Sequence, residues 1–378
     1  MKILLLGAGA SKCAGYPLVR DLMSALRNWS SANQNINFQT DWENWEEFHQ
    51  SSRGLFRLLL DDPNPEIVLS ALDICQLCAA AGTRGFRPDL RETAVGLTLS
   101  QADLLPQQYF VTEAHQQAHR AACARHALLR CLQAFLIDKH SNDLGAAGRT
   151  RRNYLRHLLE KLTTGDVVIT LNWDTTVERT LAEEGRWNPS DGYGFTKRLR
   201  TLEGAPLRFS RPSEVLVLKL HGSIGWHRSN RHGLYFSGPD YLSLFEFPKE
   251  ADGQLRATDP AEELECPNPP LLSHPSYLQI LGTSEIREIW NQAERALNKA
   301  KDVEVWGYSL PESDHAVRAL LAPLSHRLER SKVSVIVHDP DFETRGRWKK
   351  FLGSALISDD ACAELRNAAP DSGVPASR

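Results

Sequence analysis

The first twenty residues, MKILLLGAGASKCAGYPLVR, constrain the fold of this chain more than any other stretch. Lys2–Leu6 is a short apolar run, and Gly7, Gly9 and Ser11 follow it at once. A buried strand that runs directly into Gly-Ala-Gly-Ala-Ser is how a doubly wound α/β fold brings bare backbone N–H groups up to a phosphate. Glycine suits such a turn because a side chain would hold the phosphate away. The stretch lacks the third glycine of the usual dinucleotide fingerprint, and glycine turns after strands are common, so alone it balances nucleotide binding against a plain structural turn.

Composition narrows the partners. The 378 residues, 42% hydrophobic and 24% charged, suffice for a sizeable core in one large domain or two. Lys and Arg total 44 against 47 Asp and Glu, and the net charge of -3 gives no global field toward nucleic acid or an anionic membrane. The local run Arg149, Arg151, Arg152, Arg156 reads as the solvated face of a helix start. The seven cysteines are odd in number and scattered, which argues for a reducing, cytoplasmic setting. Only Cys75 and Cys78 make a CxxC, and with helical spacing and no second pair they read as buried helix residues rather than zinc ligands. The N-terminal apolar run is too short for a secretion signal, and no stretch approaches a membrane span.

Along the chain, Pro17 to Trp29 reads as the helix after the glycine turn, with Leu18, Leu22, Met23 and Leu26 inward. From Ser30 to Lys161 helical patterns replace strands, at Trp42 to Leu60, Pro65 to Ala81 and Ala114 to His140. Trp42, Trp45 and Phe48 fall at near-helical spacing and read as core rather than an aromatic cofactor box. Strands return in DVVITLNWDTTVER, where Val167 to Leu171 delivers Asn172 and Asp174 to a carboxyl end, the ligand side of an open parallel sheet. Asp174 serves equally as a helix N-cap, whereas the Asn172 amide leaving a buried strand needs a partner. VLVLKLHGSIGW places His221 and Gly222 at the same edge, where a titratable imidazole beside an amide suits acid or base chemistry, although a histidine after a strand is commonly structural. Trp226 and Tyr235 line that cleft or serve in the core. Arg228 to Pro270 reads as a surface excursion or lid with a hairpin near Gly233 to Ser237. The sheet resumes at Asp302 with the turn Gly307-Tyr308-Ser309-Leu310 and a helix capped through Ser313, and Val333 to Val337 is the last clear strand, ending at Asp339. The tail after Ala355 is small and polar.

GAGASxxxGYP, TLNWD, KLHGS, GYSLPESD and VHDPD, in this order and spacing, resemble the sirtuin-like superfamily, especially its bacterial antiviral branch. The likeness spans nearly the whole chain outside the helical region. It implies an α/β fold, a Rossmann-like doubly wound parallel sheet over 1–30 and 161–352, with a helical insertion domain over 31–160 and a tail over 353–378. It implies that Gly7, Ala8, Gly9, Ala10 and Ser11 hold the NAD phosphates, with Arg20 near the nicotinamide ribose. Asn172 and Asp174 would form the nicotinamide pocket, His221 would be the catalytic histidine, and Gly307, Tyr308, Ser309 and Asp339 would bind the adenosine side. Deacylating sirtuins carry two cysteine pairs after the catalytic histidine, whereas only Cys266 and Cys362 lie there, so no metal is implied. Asp339 stands where sirtuins have asparagine.

The expected function is that of an NAD+ glycohydrolase acting in antiphage defence by NAD depletion, with Asn172 and His221 catalytic. Cleavage would pass through an oxocarbenium-like transition state, Asn172 orienting the carboxamide or the water and His221 binding a ribose hydroxyl or taking the water's proton. The alternative is a module that senses NAD or an NAD-derived nucleotide without turnover, and a third option is protein deacylation. Release of nicotinamide by the purified protein discriminates the first from the second. Because constant NAD hydrolysis would harm the host, the resemblance further implies a homo-oligomer and a separate regulator, a HerA-like ATPase or a short Argonaute by analogy.

Overall fold

Four consecutive buried apolar positions, Ile3 to Leu6, suit a strand covered on both faces, and Lys2–Leu6 forms the inner strand β1 of a parallel sheet. The computed structural model describes residues 1–32, 36–52, 54–81, 113–142, 152–196, 209, 211–229, 233–236, 272, 284–353 and 356–357. β1 pairs on one side with β2 (Val167–Thr170), Leu4 opposite Val168, and β2 pairs with β3 (Leu216–Lys219). On its other side β1 pairs with β6 (Asp302–Trp306), Leu4 opposite Glu304, followed by β7 (Ser334–His338) and a two-residue edge strand β8 (Leu356–Ile357). The order is β3-β2-β1-β6-β7-β8 with every neighbour parallel, so the order of the strands reverses direction between β1 and β6. β4 (Trp226–Ser229) and β5 (Gly233–Phe236) form a separate antiparallel hairpin, where the sequence places one.

The helix after the glycine turn differs from expectation. A single turn, α1 (Ala8–Ser11), starts at once, a 3-10 turn follows at Lys12–Ala14, and Gly15 closes it at φ 89°. A second 3-10 turn spans Val19–Asp21, and the long helix α2 (Leu22–Ala32) begins at Leu22 rather than Pro17. Proline and the left-handed glycine interrupt the apolar period, so Leu18 is only half-buried while Leu22, Met23 and Leu26 are buried.

Between β1 and β2 the described elements are helices: α3 (Ile36–Ser51), α4 (Gly54–Leu60), α5 (Pro65–Ala81), α6 (Glu113–Asn142) and α7 (Asn153–Glu160). α3, α4, α5 and α6 share a core with Trp45, Leu69, Leu72, Leu128 and Phe135, and Trp42 and Phe48 pack against it. Buried Arg125 of α6 joins Asp73 of α5 at 2.8 Å. The same core takes in Tyr16, Trp173 and Ile224, which follow the carboxyl ends of β1, β2 and β3, and Gln133 of α6 donates to the Ile224 carbonyl at 2.8 Å. These helices therefore meet the sheet at its carboxyl edge.

α7 carries a correction. Arg152 is buried, 1% exposed, and bonds Glu183 of the helix α8 (Thr176–Glu183) at 2.9 Å, and Arg156 reaches both Glu183 and Glu184. The basic run is thus, at those two positions, a tie between two helices rather than a solvated face. Arg149 and Arg151 lie outside the described residues. The remaining helices among the described residues are α9 (Ser284–Lys299), α10 (His315–Leu321), α11 (Pro323–Glu329) and α12 (Phe342–Leu352). The cap of α10 is Asp314, which accepts from Val317 N–H at 3.2 Å, rather than Ser313. Most of the 228–270 excursion, the side chains of Tyr235, Cys75 and Cys78, Cys266, Cys362 and the tail beyond residue 357 lie outside the described residues. Among the described residues no helix is long and apolar enough to cross a membrane.

Candidate functional site

Parallel pairing puts the carboxyl ends of β1, β2, β3 and β6 on one edge, and four polar stations follow from it. Asn172, two residues past β2, is 9% exposed. Its Nδ2 donates to the Gly7 carbonyl at 3.0 Å and to Ser11 Oγ at 2.8 Å, and its own N–H bonds Thr170 Oγ1 at 3.1 Å. The amide leaving the strand thus has its partners on the first βα turn, which fixes that turn beside β2.

His221, two residues past β3, is 2% exposed. Gly222 follows at φ 80°, a left-handed value that favours glycine, and turns the chain away immediately after the imidazole. His221 Nε2 lies 3.8 Å from Asp314 Oδ2. Asp314, 1% exposed, also accepts the Tyr308 hydroxyl at 2.8 Å on the same oxygen. Burial, and then the Asp314 charge, push the Tyr308 phenol well above its usual range, so it stays a donor. The segment Gly307 to Asp314 therefore supplies a carboxylate facing the histidine, a residue that the motif GYSLPESD contains but that spacing alone does not single out.

The glycine turn is engaged differently from the sequence expectation. Gly7 N–H donates to Trp306 O at 3.0 Å, Gly9 N–H to Gly307 O at 3.0 Å and Ala10 N–H to Gly7 O at 2.9 Å. These donors are not bare. A Cβ on Gly9 would lie 2.8 Å from Gly307 Cα, and one on Gly7 2.6 Å from Gly307 O. Close contact between the turns after β1 and β6 is what demands glycine there. Tyr154 of α7 and the Cys13 thiol both bond the Ala10 carbonyl, and burial followed by Cys13 and Asp174 push the Tyr154 phenol well above its usual value.

Asp174, 6% exposed, accepts Thr176 N–H at 2.9 Å, a turn-forming contact one residue before the α8 cap Thr175. Its carbonyl accepts the Lys219 ammonium. Lys219, 0% exposed, pairs with Glu178 at 3.0 Å, whose carboxyl burial pushes upward against the lowering pull of Lys219, and Tyr193 donates to the same oxygen at 3.2 Å. This buried pair sits directly beneath the His221 strand end, and nothing in the sequence pattern pairs its members. Asp339 accepts Asp341 N–H at 2.9 Å, and burial raises its carboxyl above the usual range. Ser309 is exposed with its carbonyl bonded by Arg347, and Arg20 is exposed beside Asp21 at 3.8 Å. Neither Ser309 nor Arg20 joins Asn172 or His221 through a hydrogen bond or ion pair among the described residues. Trp226 is core, 0% exposed, with its ring edge-on to Tyr193 at 4.8 Å.

The structure thus brings Asn172, Gly7, Ser11 and Ala10 into one cluster and His221, Asp314 and Tyr308 into another, and Gly307 against Gly9 connects the two turns that carry them. Among the described residues no three His, Cys, Asp or Glu side chains are grouped as metal ligands. Compared with protein-family models and with curated protein sequences, the chain matches none.

Proposed function

We propose that the carboxyl edge of the sheet binds NAD and that the protein hydrolyses the nicotinamide–ribose bond, giving nicotinamide and ADP-ribose. What supports the reading is one convergence: Asn172, Ser11 and the His221–Asp314 pair come from distant segments to the edge where the strand order reverses. In this reading the sheet is a Rossmann-like doubly wound domain, and residues 31–160 are a helical insertion that closes over its edge. The C–N bond breaks with both electrons leaving on nicotinamide, water oxygen adds to the ribosyl carbon, and the water's proton passes to His221. Asp314 at 3.8 Å stabilises the imidazolium so formed. Asn172 Oδ1 orients the water or carboxamide, while its N–H groups hold the turn. A homo-oligomer with a separate regulator, acting in antiphage defence, completes the proposal.

His221→Asn is expected to lower nicotinamide release by about a hundredfold or more while NAD binding by calorimetry and the melting temperature persist. Asn172→Ala is expected to lose turnover to a similar degree, but with a stability loss of about 1–3 kcal/mol, because two donors to the first turn disappear. Full turnover in the His221→Asn protein would remove that residue from the chemistry. One observation favours a second reading, a sensor without turnover: both amide donors of Asn172 are engaged internally. Calorimetric NAD binding without nicotinamide release would select it.

A further inference from the structure

The segment from Gly307 to Asp314 joins the end of β6 to α10, and its backbone is held in an uncommon shape. Gly307 has φ 61° and Leu310 φ 50°. Leu310 is 0% exposed, and a buried side chain in the left-handed region persists only where its surroundings enforce it. Three contacts do so here. A Cβ on Gly7 would lie 2.7 Å from Tyr308 Cα, Trp348 of α12 donates its indole N–H to the Tyr308 carbonyl at 2.9 Å, and Arg318 of α10 donates to the Leu310 carbonyl at 3.3 Å. The segment so fixed makes the phenol and the histidine address one atom. Asp314 Oδ2 accepts the Tyr308 hydroxyl at 2.8 Å and lies 3.8 Å from His221 Nε2, an ion-pair distance too long for a hydrogen bond. The other oxygen, Oδ1, accepts Val317 N–H at 3.2 Å.

We propose that Tyr308 is a positioning residue of this site: its hydroxyl competes with His221 for Asp314 Oδ2, holds the carboxylate back at ion-pair distance, and so limits how strongly Asp314 draws a proton onto the imidazole. The inference deepens the NAD-hydrolase reading and rests on it for the role of His221 as base. A carboxylate hydrogen-bonded directly to the imidazole in so dry a place would favour the imidazolium, which cannot take a proton from water. The phenol suits the task because it donates without carrying charge. Were the hydroxyl absent, Val317 N–H would still hold Oδ1, and a pivot of roughly 1 Å would close Oδ2 onto His221 Nε2. Charged groups on the neighbouring elements are engaged elsewhere: Lys219 at the end of β3 with Glu178 at 3.0 Å, Glu288 of α9 with Thr196 N–H at 2.7 Å and Arg347 of α12 with the Ser309 carbonyl at 2.9 Å. Glu312 and His315, beside Asp314 in sequence, are exposed. Glu66 of α5, whose carboxyl burial and then the Asp314 charge raise to about 8, and Arg318, which acts to lower the Tyr308 phenol, also bear on these groups. Both stay in place when only the hydroxyl is removed.

Tyr308→Phe removes the hydroxyl and keeps the ring that packs edge-on against Trp348. The test follows the His221 imidazole by NMR in the full chain labelled at its histidines, its resonance assigned by its loss in His221→Asn, across the acid and neutral range and without NAD. The midpoint of its titration should rise by about one unit in Tyr308→Phe, because the freed carboxylate closes on Nε2. In an Asp314→Asn background the same substitution should move it by less than about 0.2 unit, since the oxygen through which Tyr308 acts no longer carries charge. In nicotinamide release, the acid limb of kcat/KM should move up with it by about one unit, a loss of about tenfold at the foot of the limb, while KM and the plateau at higher pH change by less than about twofold. A merely structural tyrosine would lower the plateau and leave the limb where it is. An imidazole midpoint that falls or stays within about 0.2 unit of the native one, or an equal rise in the Asp314→Asn background, would overturn the proposal. Absence of nicotinamide release from the native protein would instead count against the hydrolase reading, with the His221 titration still deciding what Tyr308 does.

Discussion

A Gly307→Val protein will melt about 5–10 °C below the native one. Gly307 has φ 61°, and a Cβ there would sit 2.5 Å from Ala10 N and 2.6 Å from Gly9 C. The left-handed backbone costs a β-branched residue about 1–3 kcal/mol. Overpacking against another backbone, which cannot rotate aside as a side chain can, adds about 1–3 kcal/mol. Gly9→Val meets Gly307 Cα at 2.8 Å and carries the second cost without the first, so its loss should be about half as large. Gly346→Ala is the opposite case: nothing lies within 4 Å of its Cβ position in α12, and it should stabilise by about 0.5–1 kcal/mol. Thermal and urea unfolding of the three variants check the order. A Gly307→Val protein that melts within about 2 °C of the native one would show that the turns after β1 and β6 do not depend on this contact. The result also separates two reasons for glycine, since lost ligand binding in Gly9→Val with a native melting temperature would return the requirement to the ligand.

Lys219→Ala should destabilise by about 3–5 kcal/mol, because it leaves the Glu178 carboxylate buried without its counter-ion. The Tyr193 hydroxyl at 3.2 Å remains as a donor to it but carries no charge. Lys219→Met combined with Glu178→Leu should recover most of that loss, since the pair is replaced by apolar volume and neither charge is stranded. Burial already raises the Glu178 carboxyl, so its folded value exceeds its unfolded one, and its stabilising contribution falls as pH rises through the folded value. Without Lys219 that rise is larger, so the deficit of Lys219→Ala should shrink as pH is lowered toward 5 and grow above it. Urea unfolding at several pH values measures this, and a deficit below about 1 kcal/mol at pH 7 would mean that the pair contributes little. Because Lys219 also holds the Asp174 carbonyl, Lys219→Ala should loosen the ends of β2 and β3 together.

Much of the secondary structure is legible in the sequence because its signals are local. The continuous apolar runs at Ile3 to Leu6 and Val167 to Ile169 can be buried on both faces only as inner strands, and they are, while Val335 to Val337 is an inner strand with Ile336 half-buried. The Pro65 start and helical period of α5 fix its span Pro65–Ala81 as read. Where strand ends and turns meet, local signals compete: the start of α2 moved to Leu22 because Pro17 and Gly15 break the period, and the cap of α10 moved from Ser313 to Asp314. Arg152 shows the limit of reading charge as exposure, since a lone sequence does not reveal that Glu183 stands opposite it on another helix.

The site divides along the same line. Position past a strand end is a property of the sequence, and it is enough to place Asn172, Asp174, His221 and the glycine turn on one edge of a parallel sheet. Pairing across that edge is a property of the tertiary structure alone. Asn172 reaches Gly7 across 165 positions and Ser11 across 161, and His221 meets Asp314 and Lys219 meets Glu178 only because segments far apart in the chain are brought side by side. No periodicity encodes such meetings, because each is fixed by sheet order and helix docking, which depend on the burial of the whole core rather than on any segment's own pattern. The sequence therefore determined which elements form and which residue types stand at their ends, and the fold decided which of those residues hold charge for one another.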